Sequence, residues 1–96
     1  METLTPEQIG KEIIEIPQWF ADETDTTIAR TFTFDDFQTA IIFVNKVAGI
    51  AERERHHPNI HVHNYNRVTI SLTTHEAGGL TTEDFSLAAK IDKILS

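Results

Sequence analysis

The chain has 96 residues, no cysteine, and a formal net charge of -7 with its five histidines counted as neutral. A chain of this length has one core, so we predict a single domain over residues 1–96. The lack of cysteine excludes disulfides, thiolate zinc sites and thiol nucleophiles. The acidic balance disfavours direct nucleic-acid binding, because duplex-binding domains carry a basic face. No secretory or membrane-length apolar run is present, so we expect no membrane contact and a cytoplasmic location.

The N-terminal part of the chain predicts a short helix followed by two strands. Thr5-Pro6-Glu7-Gln8 has the pattern of a capping box with proline in the first turn, so a helix is predicted to begin there. It ends near Pro17, because the residue before a proline avoids the helical conformation. Strands are predicted at residues 18–21 and 26–34, on either side of a polar turn.

The longest predicted helix begins at Asp35 and runs to about Arg53 or Arg55. Apolar residues at helical spacing predict a core stripe made of Phe37, Ala40, Ile41, Val44, Ala48 and Ala51. A second apolar flank contains Phe43, Val47 and Ile50. Because a small domain has a limited core, we expect this flank to contact another subunit. The alternative is one broad buried face within a single chain.

The second half of the chain predicts a strand region and a last helix. After Pro58, a strand is predicted from about Ile60 to Thr74, with a bend or hairpin at Asn64-Tyr65-Asn66. A loop at Gly78-Gly79 precedes Thr81, which is predicted to cap the last helix. The order contains no βαβ repeat. We therefore predict an α+β fold in which an antiparallel sheet of about four strands carries three helices on one face, in the order α-β-β-α-β-β-α.

Five histidines lie between positions 56 and 75. His56 and His57 follow the long helix and His75 ends the strand region, so these three lie at the ends of predicted elements. Imidazole has an unperturbed pKa of about 6.5, so it both donates and accepts protons near neutrality. If the three side chains converge on one pocket, they form a site for proton transfer. The structural alternatives are histidines stabilised by the helix dipole and an exposed strand histidine without a role.

His61 and His63 share one face of a predicted strand. Together with His56 and His57 they resemble a cluster of metal ligands in the sequence, since imidazole binds zinc, copper and nickel. No HExxH helix or ordered third ligand accompanies them, so we predict surface positions and no metal site. Gly-rich phosphate loops and nucleophile motifs are absent from the sequence as well. The chemistry that these residues permit is therefore proton transfer without metal, bound cofactor or covalent nucleophile.

Two acidic residues are spaced to support this chemistry. Glu52 lies one helical turn before His56, so we predict that their side chains share a face and that Glu52 orients His56. An ordinary surface ion pair is the alternative. Asp84 lies three residues after Thr81, and a capping box at the last helix is a sufficient explanation for it.

The spacing of the site candidates resembles the signature of the pterin-4a-carbinolamine dehydratase family. The residues that carry the resemblance are Glu52, His56-His57-Pro58, Tyr65, His75 and Asp84, and the similarity spans about Gln18 to Asp92. It implies the α+β fold described above and assembly as a homodimer or homotetramer. It also implies dehydration of 4a-hydroxytetrahydropterin to the quinonoid dihydropterin during recycling of tetrahydrobiopterin. His61 and His63 are not part of the pattern.

The resemblance also implies a role for each matching residue. His57 and His75 form the main acid–base pair, and His56 is an alternative acid or a hydrogen-bonding group. The substrate is held by Glu52, Pro58, Thr73, Thr74 and Glu76. Tyr65 and Asp84 support the site. No metal or other cofactor is implied.

The partners that the resemblance implies are a small pterin and a second copy of the chain, with an aromatic amino acid hydroxylase as the source of the substrate. Members of the family also act as dimerisation cofactors of a transcription factor, through the assembly surface. A role around molybdopterin or another pterin is a further alternative. The sequence leaves these alternatives open.

Overall fold

Seven elements follow one another within residues 2–95, which are the residues that the structure, a computed structural model, describes. They are α1 (Pro6–Ile13), β1 (Phe20–Ala21), β2 (Ile28–Thr33), α2 (Phe37–Glu54), β3 (Asn59–His63), β4 (Arg67–Leu72) and α3 (Thr82–Lys93). The predicted α+β fold, with three helices and four antiparallel strands, is confirmed. Met1 and Ser96, the ends of the predicted 1–96 domain, lie outside the described residues.

Local hydrogen bonds decide where the first two helices begin. Thr5 and Gln8 close the predicted capping box at the start of α1. At α2 the cap is Asp36 rather than the predicted Asp35, because the Asp36 carboxylate accepts the N–H of Thr39 at 2.7 Å. Hydrogen bonds from the side chain and backbone of Thr39 lower the pKa of Asp36. This cap therefore stabilises α2 at neutral pH and is lost as the pH falls through that lowered pKa.

The sheet has the strand order β1-β2-β4-β3, so β4 is central and β3 is an edge strand. The predicted long strand is divided by the turn at 64–66, and the two halves pair from Asn59 opposite Ser71 to His63 opposite Arg67. Alternate residues of β4 are buried beneath the helices, and the residues between them lie on the uncovered face. The predicted strand at 18–21 is reduced to two paired residues. No helix within the described residues 2–95 is long and apolar enough to cross a membrane.

The buried face of α2 differs from the predicted stripe. Its buried residues are Ala40, Phe43, Val47 and Ala51. Phe43 and Val47, expected at a subunit contact, instead lie in the core, where the ring centre of Phe43 is 4.7 Å from that of Phe32. Phe37 and Ala48, expected in the core, are exposed. The prediction was wrong because apolar residues cover most of the helix circumference, and periodicity alone did not show which side faces the sheet.

Candidate active site

The end of α2 determines where His56 and His57 lie. Arg55 adopts a left-handed conformation with φ of 54°, and its N–H donates to the carbonyl of Ala51. This turn ends the helical spacing, so Glu52 does not contact His56. Its Oε2 lies 3.1 Å from Nε2 of His57 instead. The predicted pairing of Glu52 with His56 is therefore wrong, and Glu52 supports the neighbouring histidine.

A tight loop after β4 presents His75. The N–H of Thr74 donates to the carbonyl of Gly79 at 3.0 Å, and the N–H of Gly78 donates back to the carbonyl of Thr74 at 3.0 Å. Gly78 has φ of 79°, a conformation that glycine adopts readily and other residues do not. The His75 side chain is exposed on this loop and has no hydrogen-bond partner among residues 2–95. Both of its ring nitrogens are available to a ligand.

A buried carboxylate connects the two histidine-bearing segments. Asp84, in the first turn of α3, has no exposed surface. Its Oδ1 accepts from Nε2 of His56 at 2.5 Å. Its Oδ2 accepts from Oγ1 of Thr74 at 2.7 Å and from the N–H of Thr81 at 2.9 Å. Because the donors come from the end of α2, the end of β4 and the start of α3, one side chain fixes the relative positions of all three.

His56 is held between two carboxylates. Its Nε2 contacts Asp84, and its Nδ1 lies 3.6 Å from Oε2 of Glu83. The side chain is only 8 % exposed. With both nitrogens directed at carboxylates, His56 is less available to a ligand than His57 or His75. The geometry therefore fits a hydrogen-bonding or positioning role better than that of a free acid.

The three candidate histidines line one open pocket of about 220 Å³. Its lining residues are Arg55, His56, His57, Thr73, His75 and Glu76. Drug-sized ligands occupy pockets of about 300–1,000 Å³, so this space suits a smaller molecule. A second cavity, of about 250 Å³, lies on the other side of His56 and includes none of the other histidines. Convergence on the smaller pocket is the condition on which the proton-transfer hypothesis depends.

The residues predicted to hold a substrate are placed differently from one another. Thr73 and Glu76 line the pocket, and Oγ1 of Thr73 is anchored by donating to a backbone carbonyl at 2.6 Å. Pro58 is half-buried and lies outside the lining. Thr74 is 1 % exposed and its hydroxyl bonds to Asp84, so its side chain is less accessible to a substrate than those of Thr73 and Glu76; its contact with a substrate stays a prediction.

Tyr65 lies away from the pocket of its own chain. It is 64 % exposed in the turn between β3 and β4. The six residues of β4 separate this turn from the loop of His75, a length of about 20 Å at the usual rise of a strand. Among residues 2–95, Tyr65 is therefore not part of the pocket lining, and its supporting role stays a prediction.

Tyr65 instead occupies a strained backbone position. Its φ is 55°, a left-handed conformation that glycine adopts more easily than tyrosine. We expect Tyr65→Gly to raise the free energy of unfolding by about 1 kcal/mol, measured by urea denaturation. Asn64→Gly should change it less, because asparagine tolerates the same conformation. If the dehydration rate falls although the Tyr65→Gly protein is more stable, Tyr65 takes part in the reaction.

Two contacts of the site were not predicted. The hydroxyl of Thr81 lies 2.9 Å from that of Thr74, and Glu83 approaches the far side of His56. The spacing of Thr81 and Asp84 had indicated a capping box, which the structure contains. An aspartate carboxylate can accept about four hydrogen bonds, and a helix cap uses only one of them. The sequence therefore indicates that Asp84 can have further partners, but not which ones.

The five histidines do not form one cluster. His61 and His63 lie on β3, on the face of the sheet that the helices leave uncovered. Within residues 2–95, no group of three or more histidine, cysteine, aspartate or glutamate side chains is placed to hold a metal ion.

The fold and the pocket define a class: small α+β proteins with a histidine-lined pocket beside an antiparallel sheet. The chain belongs to the pterin 4 alpha carbinolamine dehydratase family, whose model matches residues 2–94. A relative from Gloeobacter violaceus that carries the family's name is 50% identical over 93 residues, which cover 95% of this chain and 100% of the relative. This membership confirms the predicted family and the predicted enzyme class, a hydro-lyase.

Two solved structures share the fold. A transcriptional coactivator/pterin dehydratase from Brucella melitensis superposes with a TM-score of 0.92 at 33% identity, covering 99% of this chain and 100% of its own. A pterin dehydratase-like protein described as a RuBisCO assembly factor in the alpha-carboxysome has a TM-score of 0.68 at 20% identity, over 80% of this chain and 88% of its own. The second likeness concerns the fold alone.

Proposed function

We propose that this protein dehydrates 4a-hydroxytetrahydropterin to the quinonoid dihydropterin, with His57 and His75 as the acid–base pair. The observation that carries the proposal is the meeting of His56, His57 and His75 in one pocket, in a chain of the dehydratase family. In this role the protein would serve the recycling of tetrahydrobiopterin after an aromatic amino acid hydroxylase. The cytoplasm stays the predicted location.

The reaction needs one base and one acid. The base takes the proton from N5 of the pterin, and the N5 electron pair forms a double bond to C4a. The bond from C4a to the hydroxyl oxygen breaks, and the acid gives that oxygen a proton so that it leaves as water. The two transfers balance, so no oxidant, reductant or metal is consumed. Assistance of this kind typically contributes about 10²–10⁴-fold to the rate.

The pocket supplies these groups at its open side. His57 and His75 are both exposed, so a flat bicyclic ligand reaches their ring nitrogens. Glu52 orients His57 through the 3.1 Å contact between Oε2 and Nε2. Arg55, Thr73 and Glu76 complete the lining and are positioned to hydrogen-bond the polar edge of a pterin.

The proposal is tested by generating 4a-hydroxytetrahydropterin in situ with an aromatic amino acid hydroxylase. Its decay is followed by ultraviolet absorption with and without this protein. We expect the protein to accelerate the decay at catalytic concentrations. An unchanged decay rate in the presence of folded protein would contradict the proposal.

Glu52→Gln is expected to reduce turnover by about two- to fivefold. The pair with His57 is exposed, and exposed ion pairs contribute little, so the effect should be modest. Glu54→Gln is the matched control, because Glu54 is also an exposed residue near the end of α2 but pairs with Lys90. The measurement is kcat in the same decay assay. Equal kcat values for the two variants would show that Glu52 does not act on His57.

Assembly of two or more copies through α2 is part of the proposal. The surface concerned, called the exposed α2 flank, is made of Phe37 and Ala48, which are exposed, and Ile41, which is half-buried. These residues are spaced four and seven apart and lie on one side of the helix, beside the buried stripe. An apolar flank of this kind on a domain with a small core marks an interface.

Ala48→Glu is expected to lower the assembled mass in solution, measured by light scattering after size-exclusion chromatography. The substitution places a charge on the exposed α2 flank, and the side chain is exposed in the single chain, so folding should be kept. Ile42→Glu is the control, because Ile42 is 49% exposed on a different side of the same helix. An Ala48→Glu protein with the mass of the unsubstituted protein would exclude this flank from the interface.

A second candidate function is binding of a regulatory protein through the same exposed α2 flank. The Brucella melitensis neighbour is named a transcriptional coactivator as well as a pterin dehydratase. The two functions depend on different residues of this chain. Binding should be lost in Ala48→Glu and kept in His57→Gln, whereas dehydration should be lost in His57→Gln.

A further inference from the structure

We propose that His61 and His63 form a two-imidazole chelating site for a late first-row divalent metal ion, on the uncovered face of the sheet and separate from the histidine pocket. The two residues lie on the edge strand β3 and are two positions apart. Side chains two apart on a strand point to the same face. The intervening Val62 packs against the core, so both imidazoles lie on the opposite, open side.

The separation of the two rings fits chelation. Their centres are 4.8 Å apart and their planes are inclined by 32°. With metal–nitrogen bonds of about 2.0–2.1 Å, two imidazoles at adjacent coordination positions have ring centres about 5 Å apart. The rings are therefore already at the distance that a shared ion requires.

One of the two rings is held by a hydrogen bond to the neighbouring strand. Nε2 of His63 lies 2.8 Å from Oγ1 of Thr69, which in turn lies 2.9 Å from Oγ1 of Thr31. When Nε2 donates to Thr69 and Thr69 donates to Thr31, Nδ1 of His63 carries a free lone pair. Histidine ligands of metals are commonly fixed in this way through their second nitrogen. His61 is exposed and free to adjust its ring.

The charges around the pair and the preference of imidazole bear on which ion would bind. The formal net charge of -7 favours a cation in general. Arg67 pairs with His63 in the strand register and is the positive side chain that faces the site from β4. Arg67 repels every divalent ion alike, so the affinity of imidazole ranks them, and Cu²⁺ is the ion bound most strongly in the order of divalent ions. Water would fill the remaining coordination positions.

The pair of His61 and His63 has no role in the proton-transfer pocket. His61 and His63 are absent from the pocket lining, and they stand outside the spacing that resembles the dehydratase signature.

The test is titration of the full chain with Cu²⁺, followed by calorimetry and by electron paramagnetic resonance. We expect one Cu²⁺ per chain with nitrogen couplings from two imidazoles. His61→Asn and His63→Asn should each weaken binding by at least about tenfold. Thr69→Val should weaken binding without removing a ligand. His57→Gln, in the other pocket, should bind Cu²⁺ as the unsubstituted protein does.

The double variant His61→Asn/His63→Asn provides the decisive comparison. It should lose the calorimetric signal for Cu²⁺ and keep both its circular dichroism spectrum and its dehydration rate. Cu²⁺ binding that persists in this folded variant, or that disappears in His57→Gln instead, would overturn the proposal. So would spectra of the unsubstituted protein without coupling to imidazole nitrogen.

Discussion

Replacing His57 and His75 together with glutamine is expected to lower the rate of dehydration by about 10²–10⁴-fold. Glutamine has a similar length and forms hydrogen bonds, but it does not take up or release protons near neutrality. Both histidines are exposed, so the free energy of unfolding should change by less than about 0.5 kcal/mol. The loss should therefore appear in kcat, measured on 4a-hydroxytetrahydropterin generated in situ, and not in the melting temperature.

The matched control is His61→Gln/His63→Gln, which also removes two imidazoles but leaves the pocket unchanged. It should dehydrate the substrate at the rate of the unsubstituted protein. If His57 and His75 act as a unit, each single substitution should cost nearly as much as the double one. A full rate in the folded His57→Gln/His75→Gln protein would contradict the assignment of these two histidines as acid and base.

Replacing Asp84 with alanine is expected to reduce the free energy of unfolding by about 3–5 kcal/mol. The substitution leaves His56 and the hydroxyl of Thr74 buried without their carboxylate partner. It also removes the acceptor of the Thr81 backbone N–H, which is part of the capping box of α3. Any protein that still folds should also lose turnover, because the end of α2 and the loop of His75 are no longer held together. The measurements are urea denaturation and kcat on the folded fraction.

The substitution Asp84→Asn keeps the size of the side chain and removes its charge, so it distinguishes the two contributions of Asp84. An amide has one acceptor oxygen where the carboxylate has two, so it keeps the bonds from Thr74 and Thr81 only if its NH₂ group faces His56. His56 then has to accept at Nε2 and carry its proton on Nδ1, towards Glu83. We expect a smaller loss of stability than in Asp84→Ala and a changed tautomer of His56, visible in nitrogen-15 spectra.

A second, half-buried carboxylate provides the control for Asp84. Asp92 accepts from Nε1 of Trp19 at 2.9 Å and from a guanidinium nitrogen of Arg30 at 2.7 Å. Asp92→Asn should destabilise the fold but leave kcat of the folded protein unchanged, because these contacts lie outside the pocket lining. If Asp84→Asn and Asp92→Asn affect kcat equally, Asp84 is a structural residue only.

Features that depend on neighbouring residues were predictable from the sequence. The capping boxes at Thr5 and Thr81 and the order of the elements follow from local hydrogen bonds and from apolar spacing, and the structure contains them. The choice between Phe43 and Phe37 as the core residue of α2 depends on where the sheet lies, and a helix that is apolar on most sides does not encode it locally. Tertiary packing decided that question.

The partners of the site residues were harder to predict for the same reason. Extending the helix through Arg55 predicts a pair of Glu52 with His56, but a left-handed residue there shifts the contact to His57. A non-glycine residue in that conformation leaves no clear mark in the sequence. The second set of bonds made by Asp84 joins residues 10 and 28 positions away, and a single sequence does not show such pairs.

The double use of Asp84 has a consequence for how this lineage could change over time. The carboxylate that caps the start of α3 is the same one that holds His56 and Thr74, so selection for a stable fold retains Asp84 whether or not catalysis matters. His57 and His75 carry no such structural duty. A descendant that drifted from catalysis towards partner binding would be free to lose both and would still keep Asp84. In a relative, an aspartate at the position of Asp84 therefore indicates that the fold is kept. Histidines at the positions of His57 and His75 indicate that the enzyme activity is kept.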